Sequence, residues 1–179
     1  RLVPQVVYYF SAYCDMLKRG DIVVGEEIDF VVPTGNFGDI LAGYVAKIMG
    51  LPVHKLICAS NRNNILTDFF ATGEYDVNRT FYTTMSPSMD ILVSSNLERL
   101  LFALSGNDDQ LISSYMKALS ADGKYRVNDA IFSALREQFA AGFTDETQTL
   151  ATIKKYYDEY GYVVDPHTAV ALNVYEKEK

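Results

Sequence analysis

The sequence predicts an α/β fold, a partial parallel sheet with crossover helices, and three observations predict it. Ile28-Asp29-Phe30-Val31-Val32 is a short, nearly continuous apolar run ahead of Pro33, and Lys55-Leu56-Ile57-Cys58-Ala59-Ser60 is another. Runs of that length read as strands buried on both faces, as in a parallel sheet. Stretches with apolar residues at three- and four-residue spacing separate them, and the order helix, strand, turn, helix, strand is that of crossover connections.

The first helix is expected from Pro4 to about Lys18, with Val3, Val6, Val7, Phe10, Tyr13 and Leu17 on one face. Pro4 suits its first turn and Gly20 its end. The second runs from about Asp39 to Met49 on a stripe of Ile40, Leu41, Tyr44, Val45 and Ile48, closed by Gly50 and Pro52. After Ser60, an Asn-rich turn (Asn61, Asn63, Asn64) leads into a helix through Phe70 that Gly73 stops. Residues 74–94 read as irregular, with an extended piece near Thr80–Thr84. Ser95 or Asn96 caps a helix reaching Leu104. Further helices are expected over Asp108–Ser120, Asp129–Ala140 and Asp145–Tyr160, the last packing Tyr156, Tyr157 and Tyr160 into the core. Tyr162-Val163-Val164 reads as a final strand, and Asp165 with Pro166 opens the last helix. Residues 105–160 thus form a helical excursion beside the sheet.

With 179 residues, 49% hydrophobic and 22% charged, the chain has globular proportions that exclude a disordered or fibrous class. No apolar stretch approaches the roughly 20 residues that span a bilayer. A net charge of −7 argues against a nucleic-acid partner or an anionic membrane surface. Cys14 and Cys58 sit singly in apolar contexts, which reads as buried, reduced thiols of a cytoplasmic protein. With two distant histidines and no paired cysteines, no metal site is expected. The chain opens Arg1-Leu2-Val3-Pro4 without Met and closes inside a helical pattern at Glu176-Lys177-Glu178-Lys179, so a fragment of a longer protein is expected.

Chemistry concentrates in Thr34-Gly35-Asn36-Phe37-Gly38-Asp39, between the first strand and the second helix. In open α/β sheets ligands bind at the carboxyl ends of strands. Two glycines allow a sharp turn and a close backbone approach to an anion, and the helix adds unpaired N–H groups and its positive end. Such a cradle needs no lysine or arginine. Neither a Walker loop nor the dinucleotide pattern is present. A carboxylate repels a phosphate dianion, so Asp39 is expected to cap the helix while the N–H groups of Asn36, Phe37, Gly38 and Asp39 face the anion. On spacing alone, a tight turn without a ligand stays open.

Thr34-Gly35-Asn36-Phe37-Gly38-Asp39-Ile40-Leu41-Ala42-Gly43-Tyr44 resembles the phosphate-binding loop of the threonine synthase family, pyridoxal-phosphate enzymes of the tryptophan-synthase-β fold type (fold type II). The stretches Arg1–Phe10, Gly50–Val53, Ser86–Ile91, Ser94–Leu101 and Asp165–Val170 resemble the same family in the same order. The resemblance implies that residues 1–179 are part of the large, pyridoxal-phosphate-binding domain. It implies a lyase of threonine biosynthesis that converts O-phospho-L-homoserine and water to L-threonine and phosphate. By the same resemblance, Gly35, Asn36, Phe37, Gly38 and Asp39 hold the cofactor phosphate. The family's Schiff-base lysine lies in a Phe-Lys-Asp context that this chain lacks. Its lysines read as solvated charges without surroundings that lower an amine pKa, so no catalytic residue is expected here and the chain alone should be inactive.

Asn96 and Arg99 share a helix face, and His167 falls in the first turn of the last helix. All three are candidate substrate contacts, against capping, surface and structural roles respectively. His54 reads as solvated. Ser86, Ser88 and Asp90 belong to a family-like motif without a role derivable from the residues. Two rivals remain: a sister enzyme of the same fold type, such as a threonine or serine dehydratase or an O-acetylserine sulfhydrylase, and a non-catalytic threonine-synthase-like protein that binds phosphorylated ligands. Dehydratase-type loops are richer in glycine, which counts against the first. Self-association through exposed strand edges and apolar surface is also expected.

Overall fold

The computed structural model describes residues 2–178; Arg1 and Lys179 lie outside the described residues, and with them the ends of the Arg1–Phe10 and Glu176–Lys179 motifs. The elements follow as α1 (Leu2–Arg19), β1 (Ile28–Pro33), α2 (Gly38–Ile48), β2 (Val53–Ser60), α3 (Ile65–Thr72), β3 (Glu74–Asp76), α4 (Leu97–Leu104), α5 (Asp109–Asp122), β4 (Lys124–Arg126), α6 (Asp129–Gln138), β5 (Phe139–Phe143), α7 (Glu146–Tyr160) and α8 (Pro166–Glu178). The α/β class is as expected. Among the described residues no helix is long and apolar enough to cross a membrane.

The main sheet has the order β1-β2-β5 with both pairs parallel. Val32 lies opposite Cys58 and Pro33 opposite Ala59, while Ser60 lies opposite Phe143. The three strands therefore end together, and the connections after Pro33, Ser60 and Phe143 share one edge. Strand alternation splits the core. Leu56 and Cys58 face the larger cluster with Ile40, Leu41, Phe37 and Phe69. Ile57 and Ala59 face a smaller one with Met89, Val170, Ala171 and Val174 of α8.

Several expectations are corrected. The third strand is Phe139–Phe143, where the pattern predicted the end of a helix, and Tyr162–Val164 is not a strand. The extended piece lies at Glu74–Asp76, paired antiparallel with Lys124–Arg126, and not at Thr80–Thr84. β1 is only part-buried because it is an edge strand in this chain, and its ladder is irregular at Asp29. There the Asp29 carboxylate accepts from Lys55 N–H and pairs with His54 Nδ1, so His54 has a partner although exposed. Cys14 is exposed and Cys58 buried. The tyrosine stripe of α7 is not core, since Tyr157 and Tyr160 are exposed and the helix buries Thr149 and Thr152.

Lys55 is not a free surface charge either: Nζ donates to Arg136 O and Glu137 O at the end of α6. Lys47 donates to His54 O, and partial burial holds its amine below the usual lysine value. Residues 105–160, expected as a helical excursion beside the sheet, instead carry β4 and the sheet strand β5 between their helices. At β3 and β4, Tyr75 stacks on Tyr125 at 5.4 Å and Tyr125 on Tyr115 at 5.4 Å.

Candidate functional site

The loop after β1 folds as it does because its carbonyls are pinned and its amides are not. Thr34 N–H extends the sheet by donating to Ala59 O at 2.8 Å, and Thr34 Oγ1 donates to Val32 O. Gly35 then passes so close to the 86–90 turn that a Cβ there would lie 2.5 Å from Ser88 O, so only glycine fits. Ser94 Oγ donates to Gly35 O at 2.8 Å. Asn96 donates to Asn36 O from both its backbone N–H (3.1 Å) and its side-chain Nδ2 (2.8 Å).

Phe37 reverses the chain. Its φ is 64°, a left-handed conformation rare outside glycine, yet its ring is 1% exposed and packs on Phe70 and Phe139 with centroids 6.2 and 6.0 Å away. The buried ring holds the backbone in a turn it would not choose. Phe37 O then accepts from Leu41 N–H, which starts α2. Among the described residues, the backbone N–H groups of Asn36, Phe37, Gly38 and Asp39 donate to no internal acceptor. They belong to the wall of a cavity of about 470 Å³ that also takes in Gln5, Ser88, Ser95 and Asn96. Unpaired donors at a helix start suit an anion.

Asp39 departs from expectation. It does not cap α2, whose N-terminal flanking residue Phe37 offers no side-chain bond. Its Oδ1 accepts from the Tyr9 hydroxyl at 3.2 Å, and the same hydroxyl donates to Asp39 O at 2.9 Å. Burial raises the Asp39 carboxyl above the usual range, with the Tyr9 hydrogen bond pulling the other way. Burial, with the Asp39 charge beside it, raises the Tyr9 phenol further still, so it stays a donor.

The structure also supplies the role of the Ser86–Asp90 stretch. Asp90 Oδ1 accepts from Asn61 Nδ2, Asn63 Nδ2 and Thr84 Oγ1 at 2.8, 3.0 and 2.7 Å, and Oδ2 from Thr84 N–H at 2.9 Å. This network fastens the 82–90 segment to the end of β2 and so fixes the Ser88 carbonyl against Gly35. The Asn-rich turn and Asp90 were both visible in the sequence, but residues about 30 apart gave no sign that they meet. Cys58, opposite Val32, is pushed up to about 12 by burial and remains a neutral thiol.

Of the sequence candidates, Gly35 to Asp39 and Asn96 come together at this cavity. Arg99 lies on a separate depression with Glu98, Phe102, Asp109 and Ile112. His167 sits at the start of α8, its Nδ1 3.0 Å from Asp165 Oδ1, and its Nε2 is buried without a partner among the described residues.

The human protein called threonine synthase-like 1 is 46% identical over 178 residues, covering 99% of this chain. Threonine synthase of Pseudomonas aeruginosa is 44% identical over 172 residues, covering 96%. The crystal structure of pyridoxal-phosphate-bound threonine synthase from Brucella melitensis superposes with a TM-score of 0.93 at 43% identity over 99% of this chain. Over almost its whole length the chain is homologous to threonine synthases. This chain spans 24% of the human relative, 35% of the Pseudomonas enzyme and 37% of the Brucella chain. No family model matches it.

Proposed function

We propose that residues 1–179 are the phosphate-holding part of the large domain of a pyridoxal-phosphate-dependent threonine synthase. The four unpaired amides of Asn36 to Asp39, walling one cavity, carry the reading. The residues fit the cofactor's phosphate. The donors lack a competing partner among the described residues, and the missing side chain at Gly35 lets the loop lie against the Ser88 carbonyl. When bound, pyridoxal phosphate supplies an electron-withdrawing ring that stabilises negative charge on substrate carbons. Asn36, Phe37, Gly38 and Asp39 bind its phosphate through backbone N–H, and Ser94 and Asn96 orient the loop by holding its carbonyls. Among the described residues no lysine borders the cavity, so this chain binds and does not turn over.

In this reading the parent enzyme acts on O-phospho-L-homoserine in the cytoplasm, releasing phosphate and L-threonine. Self-association of the chain goes with exposed Val3, Val7 and Tyr8 on α1 beside the open edge of β1, and a sedimentation run showing only monomer at high concentration would remove it. A second reading is a threonine-synthase-like protein that binds phosphorylated ligands without turnover, which the same cavity, bordered by no lysine among the described residues, would also fit. One experiment separates the two: the parent polypeptide with pyridoxal phosphate and O-phosphohomoserine, followed for phosphate and threonine together. Both products are expected. Bound cofactor with neither product would establish the binding-only reading, and product other than threonine would point to a sister enzyme.

A further inference from the structure

The cavity at the loop holds an acid where a phosphate site ordinarily places a base. Asp39 borders it, and borders on the other side a second depression of about 240 Å³ walled by Tyr8, Tyr9 and β1. Among the described residues neither depression is lined by a lysine, arginine or histidine, or by any other carboxylate. The titratable groups facing Asp39 are Tyr9, which donates to Oδ1, and Tyr8 across the second depression, both of α1. From β1, from the 86–90 turn and from the start of α4 come only neutral residues: Thr34, Ser88, Ser95 and Asn96. Asp39 Oδ2 accepts no hydrogen bond from any described residue.

A phosphate monoester above pH 6 brings close to two negative charges. Set against an ionised Asp39, it would place three negative charges in a part-buried space with only amide dipoles to oppose them. Like charges that share one site raise a carboxyl pKa. We propose that the loop binds its phosphate ligand together with one proton taken from solvent, held on Asp39 and positioned by the Tyr9 hydroxyl. The balance is simple: ligand dianion, Asp39 carboxylate and one proton give a complex of net charge −2, with Oδ2 carrying the proton and Oδ1 still accepting from Tyr9. Burial already displaces the free carboxyl in that direction. Asp39 thereby selects the charge state in which a phosphate is held. This rests on the cofactor-phosphate reading above.

The test is the affinity of the chain and of Asp39→Asn for pyridoxal phosphate between pH 6.5 and 8, with the loop amides followed by NMR. The ligand's own titrations are common to both proteins and cancel in the ratio of their affinities. That ratio should rise in favour of Asp39→Asn by about tenfold per pH unit, the slope of one linked proton. Calorimetry in two buffers of different ionisation enthalpy should find about one proton more taken up by the unaltered chain than by Asp39→Asn. Tyr9→Phe should retain the linkage and move its onset to higher pH, because the lost hydrogen bond favoured the ionised carboxylate. Loop amides that shift while the affinity ratio stays constant with pH would overturn the proton linkage alone. Loop amides that do not shift at saturating ligand would overturn the cradle reading, and the linkage with it.

Discussion

Replacing Phe37 by alanine and, separately, by glycine tests whether the loop is held in a conformation it resists. The ring is 1% exposed and packs on Phe70 and Phe139, and removing such a ring costs about 3–5 kcal/mol in either variant. The two differ at the backbone, where φ is 64°. Alanine keeps a Cβ in the left-handed region, at about 1–2 kcal/mol. Glycine is free of that strain but gives back about 0.4–1 kcal/mol through its looser unfolded chain. The net expectation is that Phe37→Gly is the more stable by about 0.5–1 kcal/mol, the reverse of the order at an ordinary position. Urea unfolding reads this as a midpoint higher by roughly 0.3–0.5 M for glycine, with a slope near 2 kcal/mol/M. A loss of this size is a large share of the 5–15 kcal/mol typical of a domain, so both midpoints should fall well below that of the unaltered chain. Alanine the more stable of the pair, or a loss below about 1 kcal/mol in both, would refute the account of Phe37 as a strained anchor.

Gly35→Ala sets a Cβ 2.5 Å from the Ser88 carbonyl, which the Asp90 network keeps from yielding. Expected are a stability loss of about 1–3 kcal/mol and at least a roughly tenfold loss of pyridoxal-phosphate affinity, by urea unfolding and fluorescence titration, and unchanged values in both would contradict the close approach. Asp165 accepts from the Thr168 hydroxyl and from the N–H groups of Thr168 and His167, bonds that hold its carboxyl down at about 2. A depressed carboxyl stabilises the fold above its unfolded value and loses that contribution as pH falls through the folded one. Asp165 is largely exposed, so solvent screening discounts that shift, and Asp165→Ala should cost about 1 kcal/mol at pH 7, some 2–4 °C in Tm, with the difference shrinking between pH 4 and pH 2.

The loop and its flanking strands were legible because their signals are local: apolar runs of strand length, two glycines, a periodic helix. β5 was not. Phe139-Ala140-Ala141-Gly142-Phe143 is rich in small residues that read as helix or turn, and the reason for them lies elsewhere in the chain. A Cβ on Gly142 would lie 2.9 Å from Val174 of α8, so the strand is small where that helix crosses it. Tyr162–Val164 had the right residue types but lies beyond the sheet, with Tyr162 and Val163 exposed. Asp39 looked like a helix cap by position. Its actual partner, Tyr9, is 30 residues away on α1, and no local pattern announces such a pair.

The cavity wall of unpaired amides has a consequence for ionic strength. A site built from lysine or arginine weakens as salt screens its attraction for an anion. Here the donors are neutral dipoles within hydrogen-bond range, which dissolved ions hardly screen, while the approaching anion meets a chain of net charge −7. Salt screens mainly that long-range repulsion. Capture of a phosphate ligand should therefore hold steady or quicken as salt is added, inverting the trend of a cationic site.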